Sequence, residues 1–84
     1  MKNKILLQVF IPVSGESYEF LVPIKYNMAY VSKLIVDYFR KRPSKGYIPS
    51  ENSILCDRKT GRIYSSGLGM EQYALLGAPE LMLI

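Results

Sequence analysis

The chain has 84 residues, of which 49% are hydrophobic and 21% charged, and its formal net charge is +4. This length suits one small domain, and the hydrophobic content excludes an intrinsically disordered chain. With one cysteine and no histidine, an internal disulfide is excluded, and neither a zinc site nor a histidine general base is expected. We therefore expect one domain over residues 1–84 without catalytic residues, metal or cofactor.

Two segments near the start of the chain predict an antiparallel hairpin. Apolar residues alternate over residues 5–11 and again over residues 18–24, which is the period of two that strands show. Gly15 lies in the turn that separates the two segments. Each strand has one wholly apolar face, and that face should be buried.

A helix is predicted over residues 28–41. Asn27 stands where an N-cap belongs, and Pro43 ends the helix because the residue before a proline avoids the helical region. One apolar stripe at helical spacing should cover the hairpin, and it consists of Met28, Val31, Leu34, Ile35 and Tyr38.

The second half of the chain predicts three short strands and one helical turn. The strands are residues 54–56, 63–64 and 81–84, and the helical turn is residues 70–75, ended by Gly77. The order is therefore β-β-α-β-β-(short helix)-β. It predicts an α+β fold in which a mixed sheet of about five strands packs on one main helix.

That order and several local features resemble ubiquitin over nearly the whole chain. Residues 46–51 are similar to the ubiquitin loop after the helix, and residues 70–75 resemble the ubiquitin turn in which a tyrosine hydroxyl, here that of Tyr73, ties a loop to the backbone. Residues 18–23, 63–66 and 81–84 resemble small bacterial proteins of the YukD/EsaB type, which accompany type VII (WXG100) secretion systems. The resemblance implies a ubiquitin-like β-grasp fold and components of a bacterial secretion machinery as partners.

Strand alternation also predicts apolar side chains on the sheet face that the helix leaves uncovered. The residues expected to face the helix are Leu7, Val9, Phe20, Val22, Leu81 and Leu83. The residues expected on the opposite face are Leu6, Phe10, Leu21, Met82 and Ile84, and Leu55 joins them if Ile54 and Cys56 point inward.

In the β-grasp strand order 2-1-5-3-4, Leu6, Met82, Ile84 and Leu55 would lie on adjacent strands. They would form one exposed patch, close to where ubiquitin carries its recognition patch. Because contiguous apolar patches usually mark contact sites, we expect a protein partner or a second copy of the chain to bind there.

Two basic clusters suggest an alternative site for nucleic acid or an acidic membrane surface. One comprises residues 40–42 with Lys45, and the other comprises residues 58–59 with Arg62. The favoured interpretation is structural: the first cluster ends a helix, where cations complement the dipole, and the second lies in a solvated hairpin. Neither cluster alternates with aromatic residues as a single-strand binder requires, so nucleic acid is the less favoured partner.

Cys56 is expected to be a small buried residue, because no histidine is present to act as the base of a reactive thiol. No apolar run reaches the ~20 residues that span a bilayer, so we expect no membrane insertion and a cytoplasmic protein. The sequence stops at Ile84 in a strand, without the Gly-Gly tail of conjugating modifiers, so we expect no conjugation.

The leading hypothesis is a non-catalytic ubiquitin-like accessory or regulatory protein of a type VII secretion system that acts by binding proteins. One alternative is a ubiquitin-like, non-catalytic subunit of another assembly, such as an oxygenase complex. The other is a small basic nucleic-acid-binding domain.

Overall fold

The computed structural model describes residues 3–84, so Met1 and Lys2, with which the predicted domain begins, lie outside the described residues. In chain order the elements are strands β1 (Lys4–Ile11) and β2 (Glu16–Pro23), helix α1 (Met28–Lys41), strand β3 (Leu55–Asp57), helix α2 (Met70–Leu75) and strand β4 (Leu81–Leu83). The strand order is β2-β1-β4-β3, with β1 and β4 parallel and the other two pairs antiparallel. This is the mixed α+β arrangement of a β-grasp fold that the sequence predicts.

The hairpin of β1 and β2 is confirmed. Its pairs run from Lys4 opposite Pro23 to Ile11 opposite Glu16. Gly15 in the turn has a φ of 74°, a left-handed conformation that glycine adopts without strain. Strand β2 lies at the edge of the sheet, and within residues 3–84 it pairs with β1 alone.

Helix α1 has the predicted bounds, and the Asn27 side chain accepts a hydrogen bond from the Tyr30 amide at 2.9 Å. Its buried stripe differs from the prediction, because Phe39 is fully buried whereas Leu34 is 37% exposed. Phe39 follows Ile35 by four residues and therefore lies on the same face. The predicted stripe included Leu34 and Tyr38, which flank that face, and omitted Phe39.

The core lies between α1 and the inner face of the sheet. Val31, Ile35 and Leu81 are each no more than 1% exposed, and Phe20 packs against them from the edge of the sheet. The Phe20 ring meets Phe39 edge-on, with ring centres 5.8 Å apart. The predicted meeting of these apolar residues beneath the helix is confirmed.

Residues 63–64 do not form the predicted strand. The Asp57 amide donates to the Arg62 carbonyl at 2.8 Å and the Gly61 amide donates to the Asp57 carbonyl at 2.8 Å, so the chain turns back directly after β3. No ladder follows this turn, and residues 62–65 have no regular secondary structure. Over residues 3–84 the sheet therefore has four strands, where the sequence predicted about five.

Candidate functional site

The face of the sheet opposite α1, the open face, carries most of the predicted site residues, but strand register divides them. In the parallel pairing of β1 with β4, Phe10 stands opposite Met82. Leu6 precedes Phe10 by four residues, which is about 13 Å along a strand. The prediction that Leu6 joins Met82 and Ile84 in one patch is therefore wrong, since it assumed adjacent strands without fixing their register.

Leu6 instead forms a separate pair with Leu21. The two residues are opposite each other on β1 and β2, and they are 47% and 45% exposed. The next pair on the same face is Gln8 opposite Glu19, and both of these side chains are exposed. This polar row separates the Leu6–Leu21 pair from Phe10.

A second apolar group, the open-face patch, consists of Phe10, Ile54, Met82 and Ile84. Ile54 and Ile84 exchange two backbone hydrogen bonds of 3.0 Å, which places them opposite each other beyond the ends of β3 and β4. Ile54 is 37% exposed and Ile84 is 50% exposed, while Phe10 and Met82 are half-buried. The patch thus joins residues of β1, the β3 end and the β4 end.

Leu55 does not belong to this patch. It stands opposite Leu83, is 4% exposed and packs in the core beneath α1. Opposed residues of neighbouring strands share a face, and a shift of one residue moves a side chain to the other face. Because Leu55 pairs with the inward-facing Leu83, it points inward, while Ile54 and Cys56 pair with Ile84 and Met82 on the open face.

Cys56 lies opposite Met82 on the open face, yet it is fully covered. Its thiol contacts the Met82 carbonyl at 3.8 Å. Burial raises the pKa of the Cys56 thiol, and the neighbouring Asp57 charge adds to this effect. A covered thiol with a raised pKa is a poor nucleophile, which agrees with the structural role expected of Cys56.

The Asp57 carboxylate organises the loop after β3. Its Oδ2 accepts the Thr60 amide at 2.7 Å, the Thr60 hydroxyl at 2.9 Å and the Lys59 amide at 3.0 Å. Oδ1 accepts the Tyr64 hydroxyl at 3.3 Å. The hydrogen bonds from Thr60 lower the pKa of Asp57 most, outweighing partial burial. The loop is therefore held in one conformation by an ionised carboxylate.

This loop places Arg58 against the open-face patch. The Arg58 guanidinium carbon is 4.0 Å from the centre of the Phe10 ring, which is close cation–π stacking. Its Nη1 is 3.4 Å from Oε1 and 3.5 Å from Oε2 of Glu80. Sequence analysis missed this contact, and the only available signal was the Asp57-Arg58-Lys59-Thr60-Gly61 run, which is typical of a side-chain-closed turn.

Tyr73 secures the start of β4. Its ring is fully buried, and its hydroxyl donates to the Pro79 carbonyl two residues before Leu81. Burial raises the pKa of Tyr73 above the ordinary tyrosine value, and nearby Tyr64 and Asp57 add to the effect. The predicted role of Tyr73 as a structural anchor is confirmed.

The basic residues make local contacts at several places. Arg40 and Lys41 occupy the last turn of α1, and Lys45 pairs with Glu16 at 3.2 Å. The Arg62 guanidinium carbon lies 5.5 Å from the centre of the Tyr64 ring. Within residues 3–84, no group of three or more potential metal ligands lies together. No helix in this part of the chain is long and apolar enough to cross a membrane.

Comparison with known proteins identifies the fold. No protein-family model matches the sequence, and no curated protein sequence matches it. Among solved structures, the chain is similar to the N-terminal ubiquitin-like domain of the 4931431F19Rik protein, determined in solution, with a TM-score of 0.67 and 18% identity. The match covers 98% of this chain and 74% of that chain. The fold is therefore ubiquitin-like.

Proposed function

We propose that this chain is a non-catalytic ubiquitin-like module that binds another protein through the open-face patch. The observation that carries the proposal is the patch itself. Its four apolar side chains lie side by side on three strands, and Ile54 and Ile84 remain 37% and 50% exposed. Contiguous exposed apolar surface of this kind usually marks a contact site.

The most specific form of the proposal is a cytoplasmic accessory protein of a bacterial type VII secretion system. Its support is the resemblance of residues 18–23, 63–66 and 81–84 to YukD/EsaB-type proteins. An FtsK-type ATPase gene and WXG100 genes beside the coding gene would agree with this role. Loss of the gene should then lower secretion of the WXG100 proteins. Unchanged secretion in the deletion strain would contradict the role.

Binding through the patch is tested with matched double variants in the native host. Met82→Ser with Ile84→Ser removes two residues of the patch, and Leu6→Ser with Leu21→Ser removes the separate leucine pair on the same face. Interface anchors contribute about 1–2 kcal/mol each, so the first variant should weaken association with the secretion machinery, or self-association, at least about tenfold. The second variant should bind as the wild type does.

Equal loss of binding in both variants would show that the whole open face, and not the patch, makes the contact. If neither variant loses binding, the patch makes no contact with the partner, which would contradict the proposal. Circular dichroism and thermal unfolding of both variants would show that neither result comes from a lost fold.

A further inference from the structure

We infer that the partner of the open-face patch presents a carboxylate to Arg58 beside the apolar side chain that the patch receives. The inference rests on the proposed function and concerns the chemistry of the partner. Arg58 borders the patch and contacts both Phe10 and Glu80.

The backbone of Arg58 is fixed while its side chain is held loosely. The Arg58 amide donates to the Glu80 carbonyl at 2.9 Å, and the preceding Asp57 carboxylate closes the loop. The side-chain contacts to Glu80, at 3.4 and 3.5 Å, exceed the about 2.7–2.9 Å of a strong charge-assisted hydrogen bond. A better-placed acceptor would therefore compete well for this guanidinium.

Arg58 also has guanidinium N–H groups that are available to a partner. A guanidinium carries several N–H groups in a planar fork, and it matches a carboxylate best when two of them are used. Within residues 3–84, both side-chain hydrogen bonds of Arg58 come from Nη1 alone. Its side chain is 37% exposed, so an incoming carboxylate could reach the remaining N–H groups.

The charge at the border of the patch favours the same kind of partner. The Arg58 guanidinium lies over Phe10, and its anionic neighbour within residues 3–84 is the Glu80 carboxylate. A partner carboxylate that takes the place of Glu80 is attracted to this guanidinium, while a partner cation is repelled by it. Because the guanidinium rests on the Phe10 ring, the carboxylate would lie next to the apolar contact. The partner segment is therefore both apolar and acidic.

Three synthetic amphipathic helical peptides test this chemistry. They share one leucine stripe and differ only along its borders, which carry glutamate, glutamine or lysine. Titration of the isotope-labelled protein, followed by amide chemical shifts, gives the affinity and the binding face. We expect the glutamate peptide to bind about three- to tenfold tighter than the glutamine peptide, and the lysine peptide to bind most weakly.

Three surface variants assign the preference to one side chain. Arg58→Gln should abolish the preference for glutamate over glutamine, whereas Glu80→Gln should increase it because the guanidinium loses its competing partner. Lys59→Gln is the matched control, since it removes the same charge one residue away. It should keep most of the preference. Loss of the Arg58 side chain also exposes Phe10, which should change the affinities for the glutamate and glutamine peptides alike. The ratio of these two affinities therefore reports the charge effect alone.

The outcomes distinguish this inference from the proposed function. Equal affinities for all three peptides, with shifts at Phe10 and Met82, would overturn the inference and leave the proposed function standing. Equal effects of Lys59→Gln and Arg58→Gln would also overturn it, because the preference would then reflect overall charge. Absence of shifts at the patch with every peptide would count against both proposals.

Discussion

The two faces of the sheet carry similar apolar side chains, but α1 covers only one of them. On the inner face, Leu7 and Leu83 are no more than 1% exposed, whereas Leu6 and Ile84 on the open face are 47% and 50% exposed. An inward side chain finds neighbours on the helix whatever the exact strand register. A side chain on the open face has only its cross-strand neighbours. Alternation therefore predicts most of the core, while the neighbours on the open face depend on register.

The largest difference in unfolding free energy between substitutions at covered and uncovered positions should appear on the helix. Ile35→Ala removes a side chain that is 1% exposed, and a large-to-small change in the core costs about 2–5 kcal/mol of unfolding free energy. The neighbouring Leu34→Ala should cost about 1 kcal/mol or less, because Leu34 is 37% exposed. Urea denaturation of both variants measures the difference. Similar losses would mean that the buried face of α1 is misassigned.

Asp57 should connect stability to pH, because its carboxylate holds the loop that borders the open face. Hydrogen bonds, chiefly from Thr60, lower its pKa in the folded protein. The ionised form therefore stabilises the fold above the unfolded-state pKa of about 3.9. This contribution is lost as the pH falls through the lower folded-state pKa.

We expect Asp57→Asn to be less stable than the wild type at pH 7, with the difference narrowing as the pH falls below about 4. Denaturation curves recorded across this range measure the effect. Asp37→Asn is the control, since Asp37 is exposed on α1 and accepts none of the side-chain hydrogen bonds found within residues 3–84. A difference that stayed constant down to low pH would show that the carboxylate charge does not stabilise the loop.

The smallest expected effect is a coupling free energy between side chains on the open face, and it tests the register of the strands. Leu6 and Leu21 are opposed, so a double-mutant cycle with alanine should give a coupling of about 0.2–1 kcal/mol. Leu6 and Met82 lie on different rows, and their alanine effects should add within about 0.3–0.5 kcal/mol. Unfolding free energies of the single and double variants provide both values. Coupling of Leu6 to Met82 instead would mean that β1 and β4 are paired in another register.

The sequence predicted the elements better than it predicted the neighbours on the open face. Asn27, Pro43 and the apolar spacing between them determine α1 locally, so its bounds could be read directly. The pairing of Phe10 with Met82 joins segments that are far apart in the chain, and no local pattern specifies it. The prediction that Leu55 lies on the open face was wrong for a related reason. Ile54, Leu55 and Cys56 are all apolar, so alternation alone could not identify the inward residue.

The place of β4 in the sheet has a consequence for folding. It lies between β1 and β3, and its pairing of Leu81 with Val9 closes a loop through most of the chain. Such non-local pairing forms late because its loop-closure entropy must be overcome, whereas the β1–β2 hairpin and α1 depend on local contacts. The open-face patch contains residues of β1 and β4, so it does not exist until β4 has inserted. A partner that contacts both strands therefore binds only chains in which β4 is in place.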